Sequence, residues 1–323
     1  MPPILSALPS ISLDSAGLVA LADLGTISER TALTGTTWYS DILFLAPGLH
    51  TQQNASNVNG GEFPAAAAMT TGYVFRIENP ATVSWLQRIG RPGHLASAKV
   101  DRPTKLENGL RTQLILLPNL LYMVGILLTL TSFAILAAIQ DFWALGVLGM
   151  LVGARALNVV VFRRRAAVVG WKGKKEPGVQ GDLLILLSQD RWVRLRGEVD
   201  DLKLVTAGQW VRDLEDIESF AVAFATLLVY GAAALAGNSS TVGSLIIALL
   251  LLVSVALLGV CNALTRDLHM FGCRVYRDGE LIKYECRRDM ADAMINEKGN
   301  ECGWAVGMGL ILPEGHAQGK AVM

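Results

Sequence analysis

The sequence predicts a membrane α-helical fold: a four-helix transmembrane bundle with a small cytosolic antiparallel β module made by the central loop and the C-terminal tail. Three observations predict it. Four long apolar runs occur in two closely spaced pairs, and the dense basic clusters all flank the same ends of those pairs. The loop between the pairs alternates apolar residues with turn residues, which is strand patterning.

Residues 1–112 read as a cytosolic, largely irregular N-terminal region. Thr51 to Gly61 is rich in Gln, Asn, Ser and Gly and has no apolar period, the composition of a disordered loop. The alanine run Ala65 to Ala68 is too short to span a bilayer. Tyr73 to Ile77 and Val83 to Ile89 are short ordered candidates, and Arg91-Pro92-Gly93 breaks what precedes it. Met1 to Leu24 lacks the basic start and compact apolar core of a secretory signal, so targeting is expected to rest on the first apolar run.

Residues 113–162 form the first transmembrane hairpin, with spans 114–139 and 142–162, and residues 219–262 form the second, with spans 219–237 and 241–261. At ~1.5 Å per residue, runs of this length cross a hydrocarbon core of ~30 Å. Lipid offers the backbone no hydrogen-bond partner, so each run should be a helix. Pro118 falls near the start of the first, where its missing N–H costs little.

Orientation follows from Lys and Arg. The short connections Gln140-Asp141 and Asn238-Ser239-Ser240 carry no basic residue. Arg88, Arg91, Lys99, Arg102, Lys105 and Arg111 precede the first span, and Arg163, Arg164, Arg165, Lys172, Lys174 and Lys175 follow the second. Arg266, Arg274 and Arg277 follow the fourth. An even number of spans puts these flanks on one side, and the positive-inside rule names that side cytosol. Both termini are therefore expected in the cytosol; plasma membrane and endomembrane both fit.

The loop 163–218 offers four strand candidates, at Leu183 to Leu187, Trp192 to Leu195, Leu202 to Val205 and Trp210-Val211, with turn chemistry at Ser188-Gln189-Asp190. In the tail, 263–323, Asp278-Gly279 sits between Val275-Tyr276 and Leu281-Ile282 and predicts a two-residue hairpin. That register sets Cys273 opposite Tyr284. The tail hairpin is expected to join the loop strands in one sheet. Arg287 to Lys298 predicts a short amphipathic helix with Met290, Ala293, Met294 and Ile295 on one side, ended by Gly299.

The stretch Leu187 to Lys203, continued by Thr206-Ala207-Gly208-Gln209-Trp210 and by Phe224 to Tyr230, is similar to segments of multi-pass membrane proteins of filamentous fungi. The resemblance covers the second half of the chain. It implies a membrane setting and brings no activity and no catalytic residue with it.

Few residues carry candidate chemistry. Arg155 is the one charge well inside a span, where an Arg costs ~2.5–3.5 kcal/mol on insertion scales. It reads either as an anchor that snorkels or pairs structurally, with Glu218 and Asp216 as partners, or as a contact for a substrate, lipid or anion. Asn158 lies one turn further on. The juxtamembrane cluster Arg163, Arg164, Arg165, Lys172, Lys174 and Lys175 reads as attraction to anionic lipid. Gly146, Gly149 and Gly153 read as a helix-packing face, within the bundle or in a homodimer. Gly170-Trp171-Lys172-Gly173-Lys174-Lys175 lacks the spacing of a phosphate loop. The histidines at 50, 94, 269 and 316 are scattered and no C-x-x-C occurs, so neither a metal nor any other cofactor is expected. A formal net charge of zero gives no reason to expect nucleic acid as a partner.

The leading reading is therefore a non-enzymatic membrane anchor or scaffold whose β module binds a cytosolic protein partner or anionic lipid. A small transporter or channel subunit, with Arg155 and Asn158 in the helix bundle, is the second, and a lipid-modifying membrane enzyme the third.

Overall fold

The computed structural model describes residues 15–103, 117–167, 170–299 and 301–312. In chain order it begins with helices α1 (Ser15–Leu21) and α2 (Thr26–Thr34) and two 3-10 helices, Tyr39–Leu43 and Leu49–Asn57. Strands β1 (Ala65–Ala68) and β2 (Val74–Arg76), helix α3 (Pro80–Ile89) and strand β3 (His94–Asp101) follow. The first apolar pair is α4 (Leu117–Ala138) and α5 (Phe142–Ala167). Next come β4 (Gln180–Leu187), β5 (Arg191–Glu198) and α6 (Val199–Thr206), and then the second pair, α7 (Asp216–Leu235) and α8 (Thr241–Leu264). Strands β6 (Leu268–Met270), β7 (Cys273–Arg277) and β8 (Ile282–Lys283) and helices α9 (Arg287–Glu297) and α10 (Gly303–Gly307) complete it.

The helices α4, α5, α7 and α8 are each long and apolar enough to cross a membrane. Their outward faces are apolar as well. Leu120, Leu127, Leu130, Phe220, Leu227, Leu249 and Leu252 are all exposed, a surface that lipid rather than water would cover. The expected start at residues 114–116 lies outside the described residues, as do the flanking Lys105 and Arg111. Each hairpin is capped by its own turn. The Asp141 carboxylate accepts from Ala144 N at the start of α5 and from Ser240 N and Oγ across the gap, at 3.0, 2.9 and 2.6 Å, so the two tips are tied together. The Ser240 hydroxyl in turn accepts from Gly243 N.

The helices pair across the hairpins, α4 on α8 and α5 on α7, with the N-terminal section between them. Helix α1 packs on both α7 and α8, and Gly17 lies against the backbone of Ala233, where an added Cβ would sit 2.5 Å from the carbonyl oxygen. Ala233 is about 25 Å along α7 from its first residue. Helix α2 ends at the other extreme: Gly35 abuts the backbone of His269 and Met270, and its carbonyl accepts from the Trp210 indole. Residues 15–34 thus run the length of the spans as a helix broken at Ala22–Gly25. Residues 36–57 then dip back between the helices and return. Phe44 stacks on Tyr122 against Gly125, and Pro47, Gly48 and Leu49 are buried. Because this backbone is enclosed by protein, its lack of regular helix is tolerable at membrane depth.

The largely irregular region expected before residue 112 is therefore ordered wherever it is described. Thr51 to Gly61, expected as a disordered loop, contains most of the second 3-10 helix, with Gln52 and Gln53 buried. Its polar composition is matched by buried polar groups on α5 rather than by water.

The expected β module exists, and one sheet does combine loop and tail, but it is mixed rather than antiparallel and needs the N-terminal region. The order is β2-β1-β4-β5-β3-β7-β6, with β8 also on β3. Strand β3 runs parallel to β5, and the other pairs are antiparallel. Both faces are covered, which explains why Leu183 to Leu187 is continuously apolar rather than alternating. Leu183, Ile185 and Leu187 face a core shared with α3, α6 and Phe162 of α5; Leu184 and Leu186 face Trp192 and the α9–α10 layer, Met290, Met294 and Trp304.

Two expected strands are absent. Leu202 to Val205 lies in α6, where Asp201 is held by Arg102 at 2.6 Å, and Trp210 serves as a core side chain edge-on to Phe162. The hairpin expected at Asp278-Gly279 does not close either. Strands β7 and β8 pair with β3 one after the other, and the tight turn lies at Phe271-Gly272, both left-handed at φ 53° and 77°. Cys273 consequently pairs with Met270 and not with Tyr284. A long central strand from the N-terminal region outcompetes a two-residue turn. Helix α9 forms as expected, except that Ala291 and not Ala293 is buried beside Met290 and Met294, and Gly299 follows at φ 73°.

Candidate functional site

Arg155 occupies the middle of α5 and is 5% exposed. Its Nε donates to the Asp41 carbonyl at 3.0 Å and its Nη1 to Gln52 Oε1 at 2.6 Å. Both acceptors belong to the returning N-terminal section. The expected partners are elsewhere. Asp216 is exposed, and Glu218 sits in the first turn of α7, where its carboxylate accepts from Arg212 at 2.6 Å and from Glu215 N at 3.2 Å. Glu218 is a buried helix cap, not a group within the span.

Asn158 and Arg165 extend the same face. Gln53 Nε2 donates to the Asn158 carbonyl at 2.9 Å, and Arg165 donates to Gln53 Oε1 and to the Arg212 carbonyl, each at 2.8 Å. Arg165, Asn158 and Arg155 fall on one side of α5 at helical spacing. They meet consecutive glutamines, Gln52 and Gln53, of the 3-10 helix.

A cavity of about 260 Å³ opens beside this row. Its lining includes Arg30, Trp38, Asp41, Tyr122 and Arg155, so it is walled by α2, α4, α5 and the first 3-10 helix. The Asp41 carboxylate is engaged: it accepts from the Tyr122 hydroxyl and from Trp38 N. Arg30 donates to Thr265 Oγ1 at 2.9 Å and lies 5.4 Å over the Tyr122 ring. Among the described residues neither Arg30 nor Arg155 forms an ion pair. Arg30 has no sequence motif around it; the only signal was a charge in a section otherwise sparse in cations.

The juxtamembrane cluster divides. Arg165 is buried. Arg163 donates to the Thr37 carbonyl at 2.8 Å and stacks on Tyr39 at 4.3 Å. Arg164 stays 65% exposed, with Glu218 at 3.8 Å, and Lys172, Lys174 and Lys175 are exposed beside Trp171. Of the glycine face, only part packs within the chain. A Cβ at Gly146 or Gly149 would meet nothing within 4 Å, and only Gly153 approaches another helix, at Leu228. The close approaches are at Gly125, Gly231 and Gly243 instead.

On the sheet, Asp182 and Arg194 pair at 2.7 Å, with Lys298 at 2.8 Å from the same carboxylate and Glu297 at 2.8 Å from the same guanidinium. Burial alone would raise the Asp182 carboxyl, but the hydrogen bonds from Arg194 and Lys298 outweigh it and hold the group below its ordinary value. A lowered folded value gives stability that is complete above the unfolded value and is lost as pH falls through the folded one. Asp182→Asn should therefore lose less stability between pH 5 and pH 3 than the parent chain does, the remaining loss coming from other carboxyls held low, such as Glu62; equal acid sensitivity would contradict the assignment. Beneath edge strand β2 lies a groove of about 510 Å³ whose walls include Tyr73, Phe75, Trp171 and Lys203. All four cysteines are free, and burial pushes the Cys273 thiol up to about 11.

No family model matches the chain, and no curated protein and no solved structure does either.

Proposed function

We propose that the chain is a non-enzymatic, multi-pass integral membrane protein that holds its sheet domain at the cytosolic surface of an anionic leaflet. In this reading the four long helices form a bundle around the N-terminal section, and residues 15–34 make a fifth, broken crossing that begins level with the hairpin tips. Residues 1–14 and 313–323, which decide where the termini lie, fall outside the described residues.

The observation that carries the reading is a layer at the sheet-side end of α5. Exposed Trp38 and Tyr39, the latter under Arg163, mark an aromatic belt, and Arg164, Lys172, Lys174 and Lys175 present cations just beyond it. Each such cation is worth about 1 kcal/mol near an anionic surface. The full chain in vesicles of mixed phosphatidylserine and phosphatidylcholine should enrich phosphatidylserine in its lipid shell. Replacing Lys172, Lys174 and Lys175 together by Gln should cut that enrichment by about fivefold per charge at low salt. An unchanged lipid preference would contradict the reading.

One observation favours a transport role as a second reading. A broken helix and non-helical backbone stand at the depth of the spans, as they do along substrate paths. Solute flux through vesicles holding the full chain would support it, and sealed vesicles would not.

A further inference from the structure

The cavity between α2, α4 and α5 holds more positive charge than its walls neutralise. Two guanidiniums, Arg30 and Arg155, line it against one carboxylate, Asp41, which leaves a formal excess of one cation. Asp41 lies beyond ion-pair distance of both. Arg155 is 5% exposed, yet among the described residues its Nη2 has no acceptor, and neither have Nε and Nη2 of Arg30. A buried cation without a counterion costs several kcal/mol. The acceptors that these guanidiniums meet, the Asp41 carbonyl, Gln52 and Thr265, are neutral and supply no counterion; an anion in the cavity does.

The walls also say which anion. Arg155 forms the floor, about 12 Å of helix below Arg163, and exposed Trp38 and half-buried Arg30 stand at the mouth. The Ser40 hydroxyl lines the space between; those of Thr34 and Tyr122 line it too but already donate within the protein, to the Thr36 carbonyl and to Asp41. Two guanidiniums and the Ser40 hydroxyl suit a tetrahedral oxyanion, which can accept from several donors at once. The mouth is level with the belt where lipid phosphates reside. About 260 Å³ admits one phosphate and a short polar stub, not a whole nucleotide.

We infer that this cavity binds a phosphate-bearing anion, either a lipid headgroup phosphomonoester or free phosphate, clamped between Arg30 and Arg155. The site is one pocket with fixed partners, separate from the diffuse field of Lys172, Lys174 and Lys175, so either idea can fail without the other.

The test uses the full chain in phosphatidylcholine nanodiscs. Binding is read as the rise in thermal unfolding midpoint with inorganic phosphate in one arm and with phosphatidic acid added to the disc in the other. A rise with inorganic phosphate assigns a soluble anion; a rise with phosphatidic acid alone assigns a lipid; both outcomes support the site. Arg30→Gln should weaken the effective ligand by about tenfold, the loss of one charge-assisted donor. Arg30 is only partly buried and lies outside the Arg155–Gln52 stitch, so this variant should still fold, which a midpoint near that of the parent chain without ligand would confirm. The triple Gln variant at 172, 174 and 175 should bind as the parent does. No midpoint change in either arm, or a change that Arg30→Gln leaves intact, overturns the inference.

Discussion

Gly48→Val should destabilise the protein by about 2–5 kcal/mol, the sum of a strained backbone and an overpacked interior. Gly48 sits at φ 88°, and a Cβ built on it would lie 2.3 Å from the Leu24 carbonyl oxygen. Leu24 is backbone at the break between α1 and α2, so no side-chain rotation can relieve the contact. Gly48 is also the turning point of the section that dips between the helices; shifting it displaces Phe44 from Tyr122 on one side and Gln52 from Arg155 on the other. Gly60 supplies the control. Its φ is 63°, but nothing lies within 4 Å of its Cβ position, so Gly60→Val carries only the left-handed penalty of about 1–2 kcal/mol. Thermal unfolding of the purified full chain in detergent measures both. Equal effects would mean that the N-terminal section does not pass where the structure puts it.

The second large effect is expected at Arg155, and it separates insertion from folding. Arg155→Leu should insert at least as well as the parent, since it removes a charge worth ~2.5–3.5 kcal/mol on insertion scales. The folded chain should nevertheless lose about 2–4 kcal/mol, because the Asp41 carbonyl and Gln52 Oε1 are left buried without a donor. A double-mutant cycle isolates the stitch: Gln52→Leu and Arg155→Leu should couple by about 1–3 kcal/mol in unfolding free energy. Strict additivity would show that the guanidinium and the glutamine do not meet. An account of Arg155 as a purely snorkelling residue expects no coupling to Gln52 at all.

Long periodic features were legible from the sequence. The four apolar helices, the paired strands around Ser188-Gln189-Asp190 and the helix from Arg287 all announce themselves within a few residues. So does the cost of an Arg in a span, which singled out Arg155 and Asn158. The partners of those residues were not legible. Gln52 and Gln53 lie more than a hundred positions from the groups they touch, inside a Gln- and Asn-rich stretch that looks like disorder because it has no apolar period. Composition of that kind fails to form a core only when nothing polar is buried opposite it, and here α5 supplies the complement. The sheet failed to be legible for a related reason. Asp278-Gly279 is a strong local turn signal, but β3 offers β7 and β8 a long partner whose contribution appears nowhere in the local text. Glu218 drew attention as an acid beside a span, and Arg212, six residues upstream, already satisfied it.

Single cysteines in a chain whose native cysteines are replaced test the central claim most directly: four helices crossing the bilayer with the sheet on the cytosolic side. Ser239→Cys at a hairpin tip should react with a membrane-impermeant maleimide added outside sealed cells, or on the luminal side if the membrane is internal. Lys172→Cys, beside the sheet, should react only after the membrane is opened. Labelling of both cysteines from one side, or the reverse pattern, would contradict the account.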